Sequence, residues 1–137
     1  MAGYSGTPLP QKLGLAKLKA ESTAITFVNS PPEVMKALGV TKGTGAGKAL
    51  DFALLFVKSN SDLKKKFPAL AKKLAPAGML WVAWPKKSSG IISDLTEDVV
   101  RDFGLENGLV DVKVCAITEV WSGLKFVIRL KDRGQRA

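Results

Sequence analysis

The sequence predicts an α/β fold, with a mostly parallel five-stranded sheet that ends in an antiparallel C-terminal hairpin. Helical patterns alternate with apolar runs of strand length, and the run at residues 51–57 is apolar almost throughout, as in a central strand covered on both faces. A lysine-rich helical pattern also stops at a Pro/Gly turn at 76–78, before the apolar run 79–84. With 137 residues, 46% of them hydrophobic, the chain can bury the core of one small three-layer, Rossmann-like domain over residues 1–137.

The predicted elements of the first half follow from its prolines, glycines and β-branched residues. Residues 7–15 carry two prolines before a glycine, which favours one short helix and a turn. Residues 23–28 are β-branched and aromatic and stop at an Asn-Ser-Pro-Pro sequence, so they are predicted as the first strand. Proline suits the first turn of a helix, which predicts a short helix at 32–38 that ends at a glycine, followed by a flexible loop at 41–48.

A long amphipathic helix is predicted after the strand at 51–57. Ser59 and Asp62 have the S-x-x-D spacing of a capping box, which predicts where this helix begins. Its apolar residues recur at helical spacing and form one stripe, made of Leu63, Phe67, Leu70, Ala71 and Leu74. Pro68 lies inside this pattern, so we expect it to kink the helix or split it in two.

The second half is predicted to complete the sheet. Its elements are, in order, a strand at 79–84, a loop at 85–92, a helix that begins at 94–97, and strands at 110–118 and 124–130. Residues 121–123, Trp-Ser-Gly, are predicted as the tight turn of the closing hairpin. The polar tail at 131–137 is expected to fray.

The absence of histidine is the strongest chemical constraint in the sequence. Without an imidazole base there is no Ser-His or Cys-His nucleophile pair, and the single Cys115, expected to be an inert buried thiol, cannot supply a zinc site. We therefore expect no metal and no bound cofactor. One cysteine, no secretory signal in residues 1–8, and no apolar run near the roughly 20 residues of a membrane span favour a cytoplasmic location without membrane contact.

The net charge of +9 comes from 21 Lys and Arg against 12 Asp and Glu. Such a balance attracts nucleic acid, anionic lipid or phosphorylated small molecules, although it also serves solubility. Only Arg101, Arg129, Arg133 and Arg136 are arginines, and arginine is the usual residue for bidentate contacts to phosphates and bases. The excess of lysine therefore favours loose attraction of anions over sequence-specific recognition of nucleic acid.

The carboxyl ends of the predicted parallel strands form the candidate ligand site. Such ends converge on one edge of an open α/β sheet, where ligands commonly bind, and the helix after the third strand directs backbone amides to the same edge. Lysines, hydroxyls, an amide and an aromatic wall meet there, a set that suits an anionic small molecule. The candidate residues are Asn29, Ser30, Ser59, Trp84, Lys86, Lys87, Ser88, Ser89 and Asp94. An alternative interpretation has Trp84 closing the core and the lysines solvating a loop.

Three further patterns have structural explanations beside the functional ones. The glycine-rich segment 43–48 is similar to a phosphate-binding loop. However, Lys42 stands where a P-loop requires glycine, and Ala49 stands where it requires Ser or Thr. It also precedes a strand, which favours a flexible connector. The lysines of 64–73 could follow a phosphate backbone or form the solvated face of an amphipathic helix. The acids at 94–98 occupy a first helical turn, where capping explains them.

Four segments carry a resemblance to known proteins: residues 3–9, residues 80–87 with a Trp-Pro-Lys-Lys block, residues 94–101 and residues 108–124. Together they resemble a family of small bacterial proteins known only as a domain of unknown function, number three-zero-five-two, which implies no particular activity. The order of elements is more remotely similar to the later half of a class I methyltransferase, which implies binding of S-adenosylmethionine. Such enzymes carry a glycine-rich turn after their first strand, whereas residues 27–32 here are Phe-Val-Asn-Ser-Pro-Pro.

Three functions follow from these patterns. The first is a non-catalytic or regulatory binder of an anionic ligand or partner at the strand ends. There Lys86 and Lys87 would supply charge, Ser88 and Ser89 hydrogen bonds, and Trp84 a stacking surface. The second is a reduced, methyltransferase-like enzyme. The third is weak binding of nucleic acid through the lysine-rich helix.

Overall fold

The computed structural model describes residues 7–18, 24–45 and 47–135. Over these residues the chain forms four α-helices and five β-strands. The α-helices are α1 (Leu9–Lys12), α2 (Pro32–Leu38), α3 (Asn60–Lys73) and α4 (Glu97–Glu106). The strands are β1 (Ile25–Val28), β2 (Leu50–Phe56), β3 (Leu74–Pro85), β4 (Leu109–Ala116) and β5 (Trp121–Ile128). Short 3₁₀ helices occupy Leu15–Lys17, Lys87–Ser89 and Leu130–Gln135.

Several sequence predictions concern residues outside these ranges. Residues 1–6, on which the expected absence of a secretory signal and part of the segment 3–9 depend, lie outside the described residues. The same is true of Thr23, the predicted first residue of the first strand, of Ala46 in the glycine-rich loop, and of residues 136–137 in the tail.

The five strands form one mixed sheet in the order β1-β2-β3-β5-β4. β1 pairs with β2 and β2 with β3 in parallel, whereas β5 pairs antiparallel with both β3 and β4. The predictions of an α/β fold and of a C-terminal hairpin are confirmed, whereas the prediction of a mostly parallel sheet is met only in part: β1, β2 and β3 pair in parallel, but two of the four pairings are antiparallel. The reason is topological: β5 inserts between β3 and β4 and so makes an antiparallel pair on each side.

Alternating residues of the sheet bury two apolar clusters, one on each face. The first cluster joins Leu55 of β2 to Phe67 of α3, and the second joins Leu54 of β2 to Val34 of α2. Trp81 of β3 is fully buried in the second cluster, and its indole N–H donates to a backbone carbonyl of the N-terminal segment. Because helices cover both faces, the domain has three layers.

The start of α3 and both ends of α2 lie where short sequence signals predicted them. α2 begins with Pro32 and ends before Gly39, whose φ of 72° lies in the left-handed region that favours glycine. Ser59 caps α3 by accepting a hydrogen bond from the Asp62 amide at 3.1 Å. Pro68 lies within α3, but the helix continues as one segment and is not split in two.

β3 begins at Leu74, five residues before its predicted start at residue 79. Leu74 pairs with Leu50, and the next pair in register joins Met79 to Phe52. More residues lie between these two pairs on β3 than on β2, so β3 forms a bulge there. The bulge contains the predicted Pro/Gly turn, and it requires glycine because a Cβ on Gly78 would lie 2.3 Å from the Leu50 carbonyl oxygen.

The hairpin between β4 and β5 differs from the prediction in the position of its turn. Residues 121–123, predicted as the turn, are the first residues of β5, and the turn lies at 117–120. The Thr118 hydroxyl holds this turn by accepting hydrogen bonds from the amides of Val120 and Trp121 at 3.0 and 3.2 Å. Trp121 is 5% exposed and packs edge-on against Phe56, with ring centroids 4.9 Å apart. Burial of this indole therefore keeps Trp121 within the sheet.

α4 and the C-terminal tail also differ from the prediction. α4 begins at Glu97, because the hydroxyl of the preceding Thr96 accepts a hydrogen bond from the Val99 amide at 3.2 Å and caps the helix there. The tail, predicted to fray, forms a 3₁₀ helix over its described residues. Arg133 stabilises it by donating from Nε to the Ile128 carbonyl oxygen at 3.0 Å.

Candidate functional site

The carboxyl ends of β1, β2 and β3 lie on one edge of the sheet, which we call the carboxyl rim. The rim comprises residues 29–30, 58–59 and 84–89. In the parallel register Val28 pairs with Leu55, and Leu55 pairs with Val82. Since adjacent strands are about 4.8 Å apart, the ends of β1 and β3 are separated by roughly 10 Å.

Trp84 belongs to the rim by sequence, but its side chain belongs to the core. It is 5% exposed and lies in the apolar cluster that contains Leu63 and Leu95. The indole therefore offers little surface on which a ligand could stack. Its burial fits the alternative interpretation, in which Trp84 closes the core.

The loop after β3 presents part of the predicted charge to solvent. Lys87 and Ser88 are exposed, and Lys86 is half-buried, with its backbone amide bonded to the turn between β4 and β5. The Ser89 hydroxyl is used within the loop: it donates to the Lys86 carbonyl oxygen at 2.6 Å and accepts from the Ile91 amide at 3.2 Å. Of the two serines, Ser88 is therefore better placed to contact a ligand.

Ser59 and Asp94 both cap the N-terminus of α3. The Ser59 hydroxyl accepts from the Asp62 amide, and Asp94 Oδ1 accepts from the Asn60 amide at 2.8 Å. These bonds use amides that an anion would otherwise contact at a helix N-terminus. The positive end of α3 thus already faces a carboxylate.

The end of β1 has the most unusual geometry of the rim. Asn29 has a φ of 57°, the one positive value at a non-glycine residue over the described part of the chain, and asparagine tolerates this conformation better than most residues. The Ser30 hydroxyl oxygen is enclosed and has no hydrogen-bond partner among the described residues. Both residues line a cavity of about 730 Å³ together with Phe27 and Met35. A positive φ and an enclosed hydroxyl without a partner among the described residues are both found at ligand sites, so this end is a candidate for ligand contact.

The acids of α4 do not form a separate carboxylate site. Arg101 donates to Asp98 at 3.0 Å and to Asp111 of β4 at 2.9 Å, and it also pairs with Glu97. Its hydrogen bonds to Glu97 and Asp111 raise the pKa of Arg101 above its ordinary value. The ion pair with Asp111 joins α4 to β4, whereas those with Glu97 and Asp98 lie within α4.

Other reactive groups are few over the described residues. No group of three His, Cys, Asp or Glu side chains is placed there to hold a metal ion. Within the same ranges, no helix is long and apolar enough to cross a membrane.

Cys115 is half-buried, and burial raises the pKa of its thiol, although the charges of Lys12 and Lys113 oppose that shift. The thiol is therefore a weak nucleophile at neutral pH.

Several solved structures have a fold similar to that of this chain. Similar solved structures include a pericyclic reaction enzyme, with a TM-score of 0.53 and 12% identity, and LepI in complex with SAM, with a TM-score of 0.53 and 11% identity. A LepI variant in complex with SAH and a substrate analogue has a TM-score of 0.50 and 13% identity. Each likeness covers 90% of this chain and 47% of the other, so this chain spans about half the length of those proteins.

These likenesses define the fold alone, because one fold hosts many functions. They support the remote resemblance to a methyltransferase-like fold. No family model matches the chain, and no curated protein matches it either. Membership of the domain-of-unknown-function family number three-zero-five-two therefore stays a prediction.

The residues after β1 do not suit S-adenosylmethionine held by close approach of the backbone. Pro31 and Pro32 have no N–H groups, and the amides of Val34 and Met35 donate to the Pro31 carbonyl oxygen at 3.0 and 3.2 Å. No glycine follows β1 before Gly39, so no position there allows a ligand to contact the backbone without a side chain in the way.

Proposed function

We propose that the domain binds an anionic ligand at the carboxyl rim and performs no catalytic step of its own. The observation that carries this proposal is the parallel register of β1, β2 and β3, which ends all three strands at one edge. Exposed Lys58 and Lys87 and half-buried Lys86 belong to that edge, and so does the Ser30 hydroxyl, which lacks a partner among the described residues.

The chemistry of the rim supports an organic anion of modest size as the ligand. Lysine ammonium groups supply charge at the ends of β2 and β3, and the exposed side-chain amide of Asn29 supplies hydrogen-bond donors at the end of β1. A small molecule can span the roughly 10 Å between these ends. The chain has no histidine, so the commonest general base is missing, which supports binding without catalysis.

Residue-resolved NMR tests this proposal. Isotope-labelled protein is titrated with inorganic phosphate and with succinate, and the rim amides are expected to shift until they saturate. The double variant K86A/K87A is expected to lose these shifts, because it removes two charges at the end of β3. The variant K64A/K65A removes the same charge from exposed positions on α3 and should leave the shifts unchanged.

Saturable shifts that are confined to the rim and lost only in K86A/K87A support the proposal. Rim amides that do not respond to either anion count against it. Equal loss in the two double variants also counts against it, because general electrostatic attraction would then explain the effect.

A reduced methyltransferase-like enzyme is the second candidate, and the fold likeness to LepI in complex with SAM favours it. Isothermal titration with S-adenosylmethionine tests this candidate directly. A saturating isotherm supports it, whereas no detectable heat at millimolar ligand removes it. The Pro31-Pro32 sequence after β1 favours the second outcome.

A further inference from the structure

A second concave surface lies at the opposite edge of the sheet, where β1 and β2 begin and α3 ends. We call it the basic cleft, and its volume is about 990 Å³. It is formed by loop residues 42–45 and 47–49, the first residues of β1 and β2, and the end of α3. None of the predicted rim residues lines it.

The glycine-rich loop forms one wall of the basic cleft and is attached to β1. Thr44 and Ile25 exchange two backbone hydrogen bonds, 3.0 and 2.9 Å long, at the outer edge of that strand. Gly43 permits this approach, because a Cβ at that position would lie 2.4 Å from the Ile25 carbonyl oxygen. These contacts fix the position of the loop beside the cleft, and Gly43 is the glycine that permits them.

Four lysines line the basic cleft: Lys42 and Lys48 come from the loop, and Lys72 and Lys73 come from the last turn of α3. Among the described lining residues, none is acidic. The carboxyl end of α3 contributes about half a negative charge through the helix dipole, which offsets a small part of the lysine charge. The cleft is therefore more uniformly positive than the carboxyl rim, where Asp94 lies at the N-terminus of α3.

We infer that the basic cleft binds a small molecule that carries a phosphate or polyphosphate group. Lysine ammonium groups hold phosphate oxygens through charge-assisted hydrogen bonds, which are among the stronger polar contacts. Ile25 and Leu70 line the same cleft and give an apolar surface for the rest of the ligand. The glycine-rich loop and the lysine-rich helix, which are separate features of the sequence, thus meet in one cavity.

The arrangement of the lysines favours a compact ligand over a nucleic-acid strand. Lys64 and Lys65 lie near the other end of α3, about 12 Å along the helix axis from Lys72, so the helix does not present one continuous row of charge. The cleft lysines come from two elements, the loop and α3, and lie on a concave surface. Proteins that bind single-stranded nucleic acid instead use an extended groove with aromatic side chains on which the bases stack. The cleft volume also lies at the upper end of the range for small-molecule sites, about 300–1,000 Å³.

Titration with sodium tripolyphosphate tests this inference by NMR. Saturable shifts are expected at the amides of the glycine-rich loop. The variants K42A/K48A and K72A/K73A are each expected to weaken binding about tenfold or more, while K72R/K73R keeps the charge and should keep the binding. K64A/K65A removes the same charge from exposed positions outside the cleft and should change the dissociation constant read at the loop amides by less than about twofold. Thermal unfolding without ligand checks that every variant is folded.

Equal weakening in all the alanine double variants would overturn the inference, and so would tripolyphosphate shifts that miss the loop. A single-stranded oligonucleotide tests the competing ligand. Tighter binding than tripolyphosphate at equal phosphate concentration, dependent on Lys64 and Lys65, would assign the surface to nucleic acid instead. The inference does not rest on the rim proposal, because rim and loop amides report the two sites separately.

Discussion

The side chain of Asp94 accepts a hydrogen bond from the backbone amide of Asn60, with 2.8 Å between Oδ1 and N. Asn60 is the first residue of α3, and the amides of a first helical turn have no partner within the helix. The bond joins the loop after β3 to the start of α3. A carboxylate predicted for ligand binding therefore also has a structural role.

Replacement of Asp94 should show how much this hydrogen bond contributes to the free energy of unfolding. We expect D94A to lower the free energy of unfolding by about 1 kcal/mol, the usual cost of losing a helix cap, and D94N to lower it less because an acceptor oxygen remains. Urea unfolding followed by circular dichroism measures both. D102A removes an exposed carboxylate from α4 and serves as the control, and a D94A effect no larger than that of D102A would contradict the capping role.

The start of α3 and both ends of α2 were predictable because short stretches of sequence decide them. The Ser59–Asp62 spacing placed the start of α3, and Pro32 and Gly39 placed both ends of α2. In each case the deciding hydrogen bond or φ angle lies within a few residues of the signal. The link between Asp94 and Asn60 joins residues 34 positions apart, and no local pattern announces it.

The hairpin turn was predicted at the wrong place because Gly123 serves packing and not turning. A Cβ on this residue would lie 2.6 Å from Ile117 Cδ1 and 3.3 Å from Trp81 Cε3. A Trp-Ser-Gly sequence is typical of a tight turn, and nothing nearby in the sequence shows that distant side chains fill the space beside the glycine. The basic cleft was missed for the same reason, since its two lysine pairs lie far apart in the chain.

Gly123 provides a direct test of this packing. We expect G123A to lower the free energy of unfolding by about 1–3 kcal/mol, because the added methyl group must displace buried side chains. Urea unfolding measures the change. G134A is the matched control, since a Cβ at Gly134 meets no atom within 4 Å and should change stability by less than about 0.5 kcal/mol. Equal effects of the two substitutions would refute the packing explanation.

Lys125 is half-buried, and its positive charge lowers the stability of the folded state. It pairs in register with Lys113 across β4 and β5, and like charges directly opposite each other destabilise a strand pair. Burial, with the charges of Lys113 and Lys17, lowers the pKa of the Lys125 ammonium group. A charged lysine here therefore opposes folding at neutral pH.

We expect K125M to raise the thermal midpoint at neutral pH by a few degrees, because methionine keeps the apolar stem and removes the charge. Below the folded-state pKa, Lys125 is charged in both the folded and unfolded states, and the folded state bears the full cost. Above the ordinary lysine pKa of about 10.4 it is neutral in both, so the gain should shrink as the pH rises through the lowered pKa toward that value. Calorimetric melts from neutral pH to about pH 11 measure this, with K131M in the exposed tail as the control. A gain that persists at the highest pH, or an equal gain in K131M, would exclude the electrostatic cause.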